Sequence, residues 1–184
     1  MNKNVLIAIG VIVVIVIASP LLVQLARDTA PPPPPTVDLQ TAALTGNAEE
    51  IRRHIAHDSN LDENEVTGGA TPLITAALFG RLEAVEALIE GEASLNLKDN
   101  NGSTALSTAA FLCHTEVVQV LLDNGADKNQ KNNAGTTALE SVAGPFEEVR
   151  FIYDIVKAIY EPLGLRMDYA HIEATRPTIA AMLR

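Results

Sequence analysis

A chain of 184 residues with 13 Lys and Arg against 23 Asp and Glu carries a formal charge of −10. Phosphate neutralisation needs a basic stripe, so nucleic acid is excluded as a partner, and the single cysteine, Cys113, excludes an internal disulfide. Setting aside Lys3, Arg27 and Asp28 leaves 11 basic against 22 acidic side chains, a field that would steer a basic partner inwards.

Residues 5–23, with Val5 and Val23 at the two ends, form a 19-residue stretch interrupted only by Gly10, Ser19 and Pro20. As a helix it would span roughly 28 Å, close to a hydrocarbon core of about 30 Å. Pro20 follows Ala18 and Ser19, and Pro31 follows Ala30, whereas signal cleavage wants small residues at −3 and −1 with no proline just after. Residues 1–27 are therefore expected to be an uncleaved transmembrane signal-anchor. Lys3 and the α-amino group then stay in the cytoplasm, and the chain that follows lies on the extracytoplasmic, periplasmic side of the inner membrane. Removal of the segment as a signal peptide is the alternative and would leave a soluble periplasmic domain. Residues 28–37 are a proline-rich linker, in which Pro31 to Pro35 set a polyproline II rod of about 15 Å.

Residues 38–69 read as a weak first helical unit: Thr41 to Gly46 aligns with Thr75 to Gly80, and Glu49, Glu50, Ile51 and Ile55 supply a second helix. Asp38 stands for the proline of the next unit, and Arg52, Arg53 and His54 give the polar outer face that a terminal repeat requires. Residues 70–102 and 103–135 then repeat one another without a gap, with 13 of 33 positions identical. Thr71 before Pro72 marks a helix start, because the hydroxyl accepts an orphan N–H and proline has none to leave unpaired. Leu73, Ala76 and Ala77 make a narrow first helix, Gly80 ends it, and Glu83, Val85, Leu88 and Ile89 begin a second. Glu116, Val118, Leu121 and Leu122 do the same one period on, with Gly125 as left-handed cap. Glu92 occupies the equivalent place in the earlier unit with Gly91 one residue before it, so that cap is expected to shift. The Asn-, Asp- and Gly-rich stretches from Asn96 to Gly102 and from Asn129 to Gly135 return as loops or short hairpins. Residues 136–164 begin as a fourth unit, in which Phe146 to Tyr160 is expected to be a long second helix, and residues 165–184 cap the stack.

The period of 33 and the run Thr71-Pro72-Leu73-Ile74-Thr75-Ala76-Ala77 resemble the ankyrin repeat. Ile74, Ser107 and Glu140 stand where that family has histidine. The resemblance implies an all-α solenoid of about four helix-turn-helix units that binds another protein and is not an enzyme. It also implies that contacts come from loop tips and the exposed side of the first helices. Residue by residue these are Lys98, Asn100, Asn101 and Ser103 in one loop, Lys131, Asn133 and Ala134 in the next, and Leu44, Leu78, Phe79, Phe111 and Leu112 along the helices. Leu44, Leu78 and Phe111 recur at one place in successive units and are expected to line up as an exposed apolar stripe.

Chemistry is not indicated. His54 and His57 lie three apart with no third ligand near, and Cys113 and His114 are neighbours in sequence, which rarely face one another as a nucleophile and its base. No cofactor, metal or catalytic residue is expected. The expected function is a membrane-tethered adaptor that stabilises or inhibits an envelope protein. The alternatives are an immunity-type inhibitor of a basic toxin and an enzyme built on Cys113 and His114.

Overall fold

The helix starts show the period of 33 first. Asp38, Thr71, Thr104 and Thr137 are N-caps at equal intervals, each accepting a backbone N–H three residues on, from Thr41 at 2.8 Å, Ile74 at 3.3 Å, Ser107 at 3.2 Å and Glu140 at 3.2 Å. Asp38 thus takes the place of Thr71, one position before the proline it was aligned with. At the positions without histidine, Ser107 and Glu140 close capping boxes on Thr104 and Thr137, while Ile74 is buried.

The computed structural model describes residues 32–184, with a compact unit from Pro34 to Arg184. The expected anchor on residues 5–23 lies outside the described residues, among which no helix is long and apolar enough to cross a membrane. The expected all-α architecture is present, with no strand among the described residues. Helix pairs follow in order: α1 (Leu39–Thr45) with α2 (Ala48–Ala56), α3 (Pro72–Leu78) with α4 (Leu82–Glu90), and α5 (Ala105–Phe111) with α6 (Thr115–Asp123). Then come α7 (Ala138–Ala143), α8 (Phe146–Tyr160), a 3-10 turn (Glu161–Leu163) and α9 (Tyr169–Leu183).

First helices pack along one row, α1 on α3 on α5 on α7, and second helices along another, α2 on α4 on α6. Ala42, Ala43, Ala76, Ala77, Ala109 and Ala110 are fully buried in the first row, where only a methyl group fits between backbones. Ile51, Val85, Leu88, Val118 and Leu121 fill the space between the rows.

The fourth unit departs from the sequence reading. Its second-helix position, against α7 and α6, is held by α9 and not by residues 146–160, and Ile172, Ile179, Ala180 and Leu183 are buried there. The cause lies in the turn. Gly46, Gly80 and Cys113 reverse the chain between the helices of the first three units with φ of 78°, 62° and 60°. After α7, Gly144 is extended at φ −81° and ψ 172° and Pro145 follows it, so α8 is sent away and the chain returns one helix later.

The cap at Glu92 does not shift. Gly91 keeps φ −82° and Glu92 itself adopts φ 64°, as Gly125 does at φ 86°. A left-handed conformation costs a residue with a Cβ about 1–2 kcal/mol, partly offset by the larger unfolded-state entropy of glycine. Glu92→Gly is therefore expected to raise stability by about 0.5–1 kcal/mol, read as a later urea midpoint at unchanged slope.

Candidate protein-binding surface

The loops are built by one device used three times. Asp99 Oδ1 accepts the N–H of Asn101 at 2.9 Å and of Ser103 at 2.7 Å. One period on, Asn132 Oδ1 accepts from Ala134 and Thr136, both at 3.0 Å, and Glu65 takes this role in the first loop with Thr67 and Gly68. Each loop is then tied to the next: Asn100 N–H donates to Gly68 O at 2.9 Å and Asn133 N–H to Asn101 O at 3.0 Å. The amides of the same two residues bond Thr67 O at 3.3 Å and Asn100 O at 2.9 Å, and Lys98 Nζ reaches Lys131 O at 2.9 Å. Gly69 and Gly102 allow this approach, since a Cβ at either would lie within 2.5 Å of the following loop's Asn100 or Asn133. Lys98, Asn100 and Asn133 thus serve as ties between loops. The side chains of Asn101, Lys131 and Ala134 are exposed at the tips, and Ser103 is half-buried at the base.

The helix residues are placed differently from the expected open stripe. Leu44, Leu78 and Phe111 are half-buried, and Phe79 and Leu112 are buried. The cover is α8. Phe111 stacks on Tyr153 with ring centroids 4.2 Å apart and planes 6° from parallel, and Phe79 meets Tyr160 edge-on at 6.1 Å. Tyr153 Oη donates to Phe111 O at 2.6 Å and accepts from Arg176 Nη1 at 3.0 Å, while Arg176 Nη2 donates to Gly144 O at 3.0 Å. The buried Arg176 therefore joins α9, α8 and the turn after α7 through two neutral oxygens. Burial pushes the Tyr153 phenol up to about 12.

A cavity of about 530 Å³ remains beneath α8. Leu78, Phe111, Ile152 and Val156 form its apolar walls, Asp99 and Glu140 are its carboxylates, and no Lys or Arg lines it. The Thr137 N–H and hydroxyl hold Glu140 below the usual carboxylate range. Tyr160 at the other wall is raised, first by burial and then by the Asp99 and Glu65 carboxylates.

Cys113 and His114 do not form a nucleophile and base. Burial pushes the thiol up to about 11, its Sγ lies 3.6 Å from Ile172 O, and His114 Nε2 lies 3.1 Å from Leu78 O. His54 likewise has structural partners, Ser59 Oγ at 3.0 Å and Val37 O at 2.8 Å.

One surface escaped the sequence reading. Phe151, Ile155 and Ile159 lie exposed on the far side of α8. Their signal was available: the apolar side of this helix is wide enough to hold both Phe151, Ile155 and Ile159 and the group Val149, Tyr153, Val156 and Tyr160, so a single neighbour could not cover all of it.

Among known families, a model described as ankyrin repeats in three copies matches residues 39–144. No curated protein matches the chain.

His114 supplies a test of this packing. Burial lowers its pKa below 6.5, against a smaller opposite effect of the Leu78 carbonyl. The unfolded chain then binds a proton more readily than the folded one, so the neutral ring's contribution is complete above about 6.5 and is lost as pH falls through the lowered folded value. Thermal midpoints are expected to decline as pH falls below about 6.5, and His114→Gln to flatten that part of the profile.

Proposed function

The chain belongs to the ankyrin-repeat family, a fold used for protein–protein interaction, and from that premise we propose that it is a non-enzymatic adaptor, tethered to the inner membrane by residues 5–23, whose repeats bind an envelope protein outside the cytoplasm and stabilise or inhibit it. The observation that carries the reading is the groove under α8. It joins apolar walls to two carboxylates and no cation, next to loop tips that bonds between loops already hold in place. Such a site suits a basic segment with apolar side chains, and it needs little ordering on binding. The same acidity favours a second reading, an immunity-type inhibitor that blocks a basic toxin arriving outside the membrane.

Topology and binding are tested together. A reporter active only outside the cytoplasm, fused after Arg184, is expected to work, and carbonate washing is expected to leave the protein in the membrane. The partner recovered with it should bind the Asn101→Arg/Ala134→Arg variant more than about tenfold more weakly, a loss of about 1.4 kcal/mol, at an unchanged melting temperature. A silent reporter overturns the topology, and unchanged affinity in the variant removes the groove and its rim as the binding site.

A further inference from the structure

The far side of α8 carries a second surface, separate from the groove. Phe151, Ile155 and Ile159 recur every fourth residue with fractional exposures of 62%, 55% and 56%. At 1.5 Å per residue the row is about 12 Å long, enough for two turns of another helix. Val149, Tyr153, Val156 and Tyr160 lie on the opposite side of the helix and pack inwards. Three large apolar side chains in one line is more than a scattered surface residue or two, and such a strip marks a contact.

Charge narrows the occupant. At 100° per residue Glu148 falls within the row and Glu147 beside it, while Asp154 and Glu161 fall on the side of Tyr169, whose hydroxyl donates to Asp154 at 2.8 Å. The helix has two cations, and both are drawn towards Tyr169: Arg150 lies 5.8 Å and Lys157 5.5 Å from its ring centroid. Arg150 also pairs with Glu147 at 3.5 Å, which leaves Glu148, Asp154 and Glu161 without a cationic partner among the described residues. A second copy would bring two strongly acidic domains together, and an anionic lipid surface would meet the same carboxylates.

We propose that the row is a docking strip for one short amphipathic α-helix of a basic partner protein. Its apolar side chains, spaced three and four apart, interleave with Phe151, Ile155 and Ile159, and its Lys and Arg face Glu147 and Glu148. The groove beneath α8 stays unoccupied in this contact, so the strip stands or falls apart from the groove.

The test places a photoreactive benzoylphenylalanine at Ile155 of the full-length chain, in the cell that makes it, and sequences the cross-linked peptide. The expected product is an adduct to another protein through a segment with helically spaced apolar residues and Lys or Arg between them. Glu147→Lys with Glu148→Lys should reduce that adduct more than about tenfold, whereas Asn101→Arg/Ala134→Arg should leave it unchanged, and the same probe at the exposed Glu83 should give none. An adduct to a second copy, to lipid or to residues 5–23 of the same chain overturns the proposal. So do the absence of any adduct, indifference to the charge reversal, and loss of the adduct in the groove variant.

Discussion

Backbones of successive first helices must approach closely, and the pairs Ala42-Ala43, Ala76-Ala77 and Ala109-Ala110 are what allows it. A larger side chain there would push neighbouring units apart and open the space that Val85, Leu88, Val118 and Leu121 fill between the two helix rows. No unit can bury its own apolar stripe, so each depends on its neighbours, and the fold is a sum of similar interfaces. The N-caps at Asp38, Thr71, Thr104 and Thr137 set the same entry angle four times. A regular row of helices then brings a regular row of loops.

An array of this kind has to end, and the two ends are made differently. At the first, Glu50 receives the N–H groups of Thr36 and Val37 and pairs with Arg53 at 3.0 Å, which closes the apolar interior with a satisfied charge. Those backbone N–H groups hold its carboxyl below the usual range. At the last, the extended Gly144 and Pro145 replace a left-handed turn, so the chain makes an excursion across the inner face before α9 fills the vacant outer place. The surface on which family resemblance placed a partner is thereby partly occupied by the protein's own Tyr153 and Tyr160.

Much of this was legible in the sequence. Thr71 and Thr104 mark helix starts by chemistry that needs no neighbour, and the alanine pairs and the 33-residue period imply stacking. Local rules also found the loops, because Asp99 and Asn132 bond backbone N–H groups within four residues. What could not be read was long-range. Phe111 looks like an exposed end of a helix until Tyr153, 42 residues later, is known to lie on it. Phe146 to Tyr160 is a strong helix by periodicity, but periodicity does not say which row it joins. That was decided by the conformation of Gly144, a residue permissive enough to take either path. Glu92 misled in the opposite sense: a carboxylate was taken to avoid the left-handed region, and the Ala93 N–H to Leu88 O bond at 3.0 Å holds the turn there regardless.

The buried Arg176 has a consequence for how this domain comes apart. Its guanidinium bonds the Tyr153 hydroxyl and the Gly144 carbonyl from α9, so α8 cannot leave the repeats without stranding a cation in an apolar site. Conversely, once α9 frays, Tyr153 loses a donor and its hold on Phe111 weakens. The two helices should therefore open as one cooperative segment, with amide protons along α8 exchanging at the rate set by α9 and the first three repeats remaining closed behind them.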